Sequence, residues 1–188
     1  LPIFLEKEGD ARTVRTSLIP AYRGIIFDRM GEPLAVSTAV ETIWANPKIA
    51  LANKTQYTTL EKILNLPKDF INKKLVENSH KEFIYLKRHI DPDTGNQVKN
   101  LDLPGIFNIQ EFKRYYPNGE VTAHILGITS IDDHGVEGLE YLYEKKLRGI
   151  PGKTQVLQDR LGRKIKTIKQ ISVAKPGEDL TLSIDLRL

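Results

Sequence analysis

A chain of 188 residues, 40% apolar and 28% charged, is long enough to bury the core of one or two small subdomains. It has no apolar run long enough to cross a bilayer, and Leu1-Pro2-Ile3-Phe4-Leu5 is too short and too poor in basic residues for a signal peptide. The absence of cysteine removes disulfides and thiolate metal sites, and the net charge of +4 is too small to make the whole chain a polyanion binder.

From the N-terminus, residues 12–46 read as an antiparallel β unit. Val14, Thr16 and Leu18 alternate with Arg15, Ser17 and Ile19, and Glu41-Thr42-Ile43-Trp44-Ala45 is strand-like again. Between them, Arg23-Gly24-Ile25-Ile26-Phe27-Asp28-Arg29-Met30-Gly31-Glu32-Pro33-Leu34-Ala35 reads as strand, tight turn and returning strand. Gly31 can supply the positive φ that such a turn needs. Thr58 and Glu61 predict a capping box before Leu60, Ile63 and Leu64, and Pro67 predicts a second helix carrying Phe70, Ile71 and Leu75. Glu82 to Ile90 is strand-like, Asp91-Pro92-Asp93-Thr94-Gly95-Asn96 reads as a turn-rich loop, and Leu103-Pro104-Gly105 as a breaker.

Glu120 to Leu126 predicts a short helix ending near Gly127. Residues 135–148 predict the best helix, with Val136, Leu139, Leu142, Tyr143 and Leu147 on one face and Asp132 and Asp133 at its start. Residues 153–171 read as a hairpin about Asp159-Arg160-Leu161-Gly162, and Lys175-Pro176-Gly177 as a turn into a final strand, Leu180 to Asp185. That last alternation, and a first residue other than Met, read as a segment of a longer protein.

Charge is unevenly spread. From Glu144 to Lys175 there are ten Lys or Arg against two acids, a local +8 that leaves −4 elsewhere. The stretch fits a solvated hairpin face, which lysine protects from edge-to-edge pairing, and equally a contact with an acidic partner or an anionic membrane surface. Nucleic acid is the poorest fit, because no aromatic residues alternate with these charges to stack bases. Arg163, Lys164, Lys166 and Lys169 are the candidate contact residues.

No catalytic constellation emerges. The single Ser-x-x-Lys is Ser172-Val173-Ala174-Lys175, among β-branched residues and directly before Pro176-Gly177, where helical geometry is disfavoured. No Lys-Thr-Gly or Lys-Ser-Gly accompanies it. The histidines, His80, His89, His124 and His134, show no metal-ligand spacing, so neither a metal nor a cofactor is expected. What remains is charge embedded in turns: Arg23, Asp28, Arg29, Arg114, Glu137 and Glu140. Beside Gly24, Gly31, Gly135 and Gly138 these residues fit bidentate clamps between distant segments, although each alone also fits an ordinary surface charge. Glu137 and Glu140, three apart, are expected to share one helix face.

Three stretches in order carry a resemblance: Arg23-Gly24 with Asp28-Arg29-Met30-Gly31 and Leu34-Ala35; Arg114-Tyr115-Tyr116-Pro117 with His124 and Gly127; and Gly135, Gly138, Glu140, Leu147, Gly149 and Gly152. Together they resemble the N-terminal, non-catalytic pedestal or dimerisation module of class B penicillin-binding proteins. Met30 stands where Asn or Ser is usual in that family. Ile43-Trp44-Ala45-Asn46-Pro47-Lys48 and Phe83-Ile84-Tyr85-Leu86-Lys87-Arg88 resemble its division-specific branch, with the elongation branch as the alternative.

The resemblance implies an α+β fold of antiparallel hairpins with short helices, elongated, in two small subdomains. The expected base comprises about 12–46 and 105–188, with an α/β head inserted at 47–104. It implies a parent anchored on the periplasmic side of the bacterial inner membrane by one helix, with a serine transpeptidase domain that cross-links peptidoglycan and is a β-lactam target. This segment would position that domain and dock the septal glycosyltransferase and division regulators. A homodimer is compatible with it, and a free-standing polyanion-binding module is the distant alternative.

Overall fold

The computed structural model describes residues 13–53 and 55–185. The strands are β1 (Thr13–Ile19), β2 (Ile26–Phe27), β3 (Pro33–Ala45), β4 (Ile84–Ile90), β5 (Ile106–Tyr115), β6 (Gly152–Gln158), β7 (Lys164–Ser172) and β8 (Leu180–Thr181). The helices are α1 (Pro47–Ala52), α2 (Thr58–Ile63), α3 (Phe70–Glu77), α4 (Pro92–Asn100), α5 (Gly119–Leu126), α6 (Gly138–Leu142) and α7 (Glu144–Leu147). The fold is α+β. One sheet has the order β4-β3-β2-β8 with β5 also on β3, and another the order β1-β6-β7. β1 therefore joins β6, and not the β2–β3 unit expected from residues 12–46.

The chain divides into two compact units. The first takes its described residues from 1–17, 40–111 and 155–169. It contains the whole of the expected 47–104 head and also the ends of β3 and β5 that flank it. Its core is Ile43, Leu60, Leu64, Ile71, Leu75, Ile84, Leu86 and Val98, with further apolar residues around them. The C-terminal half of β3 pairs antiparallel with β4, matching Glu41 to Ile90 and Trp44 to Tyr85 across a register shift.

Helix starts in this unit show where local signals were misread. α1 starts at Pro47, with the Asn46 side chain accepting from the N–H groups of Lys48 and Ile49. Thr58 does not cap α2; Tyr57 occupies that position and makes no side-chain capping bond. Glu61 instead accepts from the N–H of Asp69 at 3.1 Å and of Ile71 at 3.0 Å, so the expected partner of Thr58 serves the start of α3. That helix begins at Phe70, after a turn over Pro67. The expected loop 91–96 is the beginning of α4. Asp91 accepts from the Thr94 N–H at 2.8 Å and Pro92 occupies the first turn, so the Asp-Pro pair is a helix start rather than a breaker.

The second unit takes residues 18–39, 112–154 and 170–188, described as far as 185. Ile26, Leu34, Ala35, Leu126 and Leu147 are fully buried, and Leu139, Leu180, Leu182 and Ile184 pack on them. β2 pairs antiparallel with β3 (Ile26 to Ala35) and parallel with β8 (Ile26 to Leu180). α5 ends at Gly127 as expected. The single helix expected over 135–148 is two short ones. Glu137 is extended, and Tyr143, at φ −103° and ψ 19°, leaves helical geometry between α6 and α7. The shared apolar face fails with it: Leu147 is buried while Leu142 is 70% exposed.

Candidate functional site: a buried arginine–carboxylate cluster

The second unit holds a charged core. Arg23, ahead of β2, and Glu140, in the first turn of α6, are both wholly buried. Arg23 donates from Nε to Glu140 Oε2 at 2.5 Å and from Nη2 to the Glu140 carbonyl at 2.7 Å. Its Nη1 lies 2.6 Å from Glu144 Oε2. Arg114, near the end of β5, donates from Nε to Glu140 Oε1 at 2.7 Å and from Nη1 to Ser37 Oγ at 3.3 Å. Each oxygen of Glu140 thus takes one guanidinium. Charges this deep are tolerated only because each meets an opposite charge with directed hydrogen bonds.

Of the expected clamp residues, the structure brings together Arg23, Arg114 and Glu140. It does not bring in Asp28, Arg29 or Glu137. Asp28 is buried and accepts from the N–H groups of Met30 and Glu32 at 2.8 Å each, closing the β2–β3 turn. Arg29 is half exposed and pairs with Asp185 at 2.8 Å. Glu137 is exposed and precedes α6 in extended conformation, so the three-residue spacing to Glu140 has no helical meaning. The second carboxylate is Glu144, four residues after Glu140, a spacing that sequence reasoning could have weighed. Ser37 was missed, Tyr116 entered only within the Arg114–Pro117 stretch and Asp133 only as a residue at a helix start, so none was expected in the cluster.

Electrostatics follows from this packing. Burial works against the Arg23 charge, but Glu140 and Glu144 outweigh it and raise the guanidinium further. Burial likewise opposes the charge of Glu144, yet the Gly135 N–H and Arg23 pull its carboxyl below the ordinary value. Tyr116 is pushed up to about 12 by burial and by the Glu140 charge. Asp133 moves the other way from Glu144. Burial above all, against the pull of Arg23 and Arg114, pushes its carboxyl up to about 6 from 3.8. Its Oδ1 is buried without a hydrogen-bond partner.

Arg23 and Arg114 face Glu140 and Glu144, with Arg148 and His134 on the outer side of Glu144, so ionising Asp133 adds a buried negative charge beside two carboxylates that already hold the guanidiniums. The folded state binds this proton more tightly than the unfolded chain does. The contribution of Asp133 to stability is therefore fully present below 3.8, is lost as pH climbs through the window up to about 6, and then levels. Asp133 sits at φ 59°, a conformation Asn also accepts. Asp133→Asn is expected to abolish that fall and, with solvent screening allowed for, to add about 1 kcal/mol near neutral pH. Denaturation of both proteins from about pH 4 to pH 7 checks this, and parallel pH curves would contradict it.

Close backbone approaches frame the cluster. A Cβ on Gly24 would lie 1.9 Å from the Glu178 carbonyl oxygen, one on Gly135 2.1 Å from that of Glu140, and one on Gly138 2.6 Å from the Gly127 nitrogen. The turn glycine, Gly31, has no atom near such a Cβ and matters for its φ of +85°. Chemically the cluster ties distant segments of the chain together. Ser172 closes β7, and Lys175 follows in an isolated bridge to Ile150, so the Ser-x-x-Lys run is extended. Arg163 pairs with Asp102 at 2.8 Å, while Lys164, Lys166 and Lys169 are exposed on β7. Among the described residues no helix is long and apolar enough to cross a membrane, and no group of acidic, His or Cys side chains is arranged as metal ligands.

Comparison with known proteins adds a family. The model of the penicillin-binding protein dimerisation domain matches residues 18–182. The chain is 42% identical over 192 aligned residues to the peptidoglycan D,D-transpeptidase FtsI of Escherichia coli K12, covering all of this chain and 32% of that protein. It is 40% identical to the probable peptidoglycan D,D-transpeptidase PbpC of Pseudomonas aeruginosa, covering 98% of this chain and 33% of that one. Among solved structures, a complex between penicillin-binding protein 2 and MreC from Helicobacter pylori matches with a TM-score of 0.61 and 27% identity. That match covers 93% of this chain and 37% of the other. The chain thus spans about a third of the length of the relatives it matches.

Proposed function

Because this chain belongs to the penicillin-binding protein dimerisation-domain family, we propose that it is the non-catalytic N-terminal module of a septal peptidoglycan D,D-transpeptidase. In this reading it holds the catalytic domain in position on the periplasmic side of the inner membrane. It also docks division partners, the septal glycosyltransferase and its regulators among them, while the rest of the parent cross-links stem peptides. The observation that carries the reading is full-length similarity, at 42% identity, to about a third of FtsI. The tie through Glu140 suits a module whose task is orientation. The elongation branch is the second reading, favoured by the likeness to the penicillin-binding protein 2 complex, though at lower identity.

The test has two arms on the purified chain. Fluorescent penicillin is expected to leave it unlabelled, because Ser172 and Lys175 share no helical turn. Labelling abolished by Ser172→Ala would overturn the non-catalytic reading. The chain is also expected to be retained by the detergent-solubilised division complex. Changing Arg163, Lys164, Lys166 and Lys169 to Ser should weaken that retention, increasingly so as salt is lowered for both proteins. Unchanged retention would reduce these residues to a solubilising face.

A further inference from the structure

The first unit contains a cleft of about 570 Å³ between α4, the start of β5 and the turn into β7. Its lining includes the apolar Val98 and Ile106, and Phe107, whose ring is tilted against Trp44 with centroids 4.5 Å apart. Two cations open into it: Lys99, in the last turn of α4, and Lys164, the first residue of β7. Neither forms an ion pair among the described residues, whereas the neighbouring Arg163 is held by Asp102 at 2.8 Å. Amide side chains supply the remaining polarity. Asn108 spends its Nδ2 on the Gly95 carbonyl at 2.7 Å, which leaves its Oδ1 to accept, and Gln110 is exposed and free to pair both ways. Two carboxylates also line it: Asp102, held by Arg163, and Glu41, which lies over Gly95, whose added Cβ would meet Glu41 Cγ at 2.5 Å.

We propose that this cleft binds an extended acidic peptide segment of a partner protein, its carboxylates on Lys99 and Lys164 and an apolar side chain against Phe107. Each part of the lining bears on that choice. Amide side chains donate and accept in the pattern that peptide groups require, which lipid headgroups and phosphodiesters do not. Aliphatic carbon beside an aromatic ring takes an apolar side chain, and a volume of a few hundred Å³ holds a few residues. Unneutralised lysines take carboxylates, while Glu41 repels a continuous polyanion such as nucleic acid and favours a segment charged toward one end.

This inference rests on the partner-docking reading and narrows it to one face. Arg163 and Lys164 line the cleft and are shared with the variant tested above, but Lys99 is not, and the peptide titration needs no division complex, so peptide binding can fail while retention stands, and the reverse. The probe is a short fluorescein-labelled peptide alternating Glu with Leu and Ser, titrated with the 188-residue chain and followed by anisotropy. Saturable binding is expected, with Kd raised about tenfold or more in the Lys99→Glu, Lys164→Glu double variant. A charge-matched control, Lys166→Glu with Lys169→Glu, should change Kd by less than about threefold. Thermal melts of the two variants, both altered only at exposed positions, confirm folding. Absence of binding, equal loss in both double variants, equal binding of a Gln-for-Glu peptide, or displacement by a single-stranded oligonucleotide or phosphatidylglycerol vesicles at matched charge would each overturn the proposal.

Discussion

Glu140→Ala is expected to lower the unfolding free energy by about 3–5 kcal/mol, because it leaves the buried Arg114 without its carboxylate and the buried Arg23 with Glu144 alone. The penalty is the desolvation of Arg23, wholly buried, and of Arg114, nearly so, with no carboxylate left on the axis of either Nε. Arg114→Ala should cost somewhat less, since Glu140 keeps Arg23. The Arg114→Ala, Glu140→Ala double mutant should fall short of the sum of the singles by more than about 0.5 kcal/mol, as contacting residues in one network do. Two controls come from the same charged set. Arg29→Ala removes an exposed pair and should cost under about 1 kcal/mol. Glu137→Ala should leave the midpoint where it was, since that side chain joins no part of the cluster. Denaturant titrations of the five proteins decide the matter. A Glu140 variant no weaker than the Arg29 variant would end the clamp interpretation.

Gly127→Ala should be the most damaging single-carbon addition in the second unit. Gly127 has φ +73° and ψ −156°, a region that only glycine occupies without strain, worth about 1–3 kcal/mol by itself. The new Cβ would also lie 1.9 Å from the Glu137 carbonyl oxygen and 2.2 Å from its carbon. Both are backbone atoms, so relief requires the segment entering α6 to move, and Glu140 moves with it. We expect a loss of about 3 kcal/mol or more, approaching that of Glu140→Ala. Gly31→Ala separates the two causes. It carries a positive φ of 85° but meets nothing within 4 Å, so it should cost only about 1 kcal/mol. Equal losses at the two positions would show that the close approach to Glu137 is unimportant.

Much of the fold was legible because several signals are local. Gly31 in the β2–β3 turn, Gly127 after α5 and the Asp159-Gly162 hairpin all follow from residues whose backbone needs are known. Of the charged cluster, Arg23, Arg114 and Glu140 could be named as candidates because charge beside glycine is costly unless paired. Their partners were not named. Glu144 was not weighed, although even one continuous helix over 135–148 would have placed it one turn from Glu140. Thr58 and Glu61 show a different limit: a capping box matched in sequence, but the Glu61 carboxylate found better-placed N–H donors at Asp69 and Ile71. Asp91-Pro92 failed for the opposite reason, since the same dipeptide opens helices and makes turns, and only the buried Val98 further on decides between them.

The parallel pairing of β2 with β8 has a consequence for how the protein is made. The core of the first unit is drawn from residues between 43 and 106, a continuous stretch of chain. Ile26 and Leu34 precede that stretch, yet the side chains that cover them include Leu147, Leu180, Leu182 and Ile184. Domains form as their chain becomes available, N-terminal parts first, and surfaces waiting for distant partners are prone to aggregate. A chain that folds from its N-terminus must therefore leave this apolar strand open until the segment through Ile184 is available. Such an intermediate is a natural client for chaperones that hold exposed hydrophobic segments.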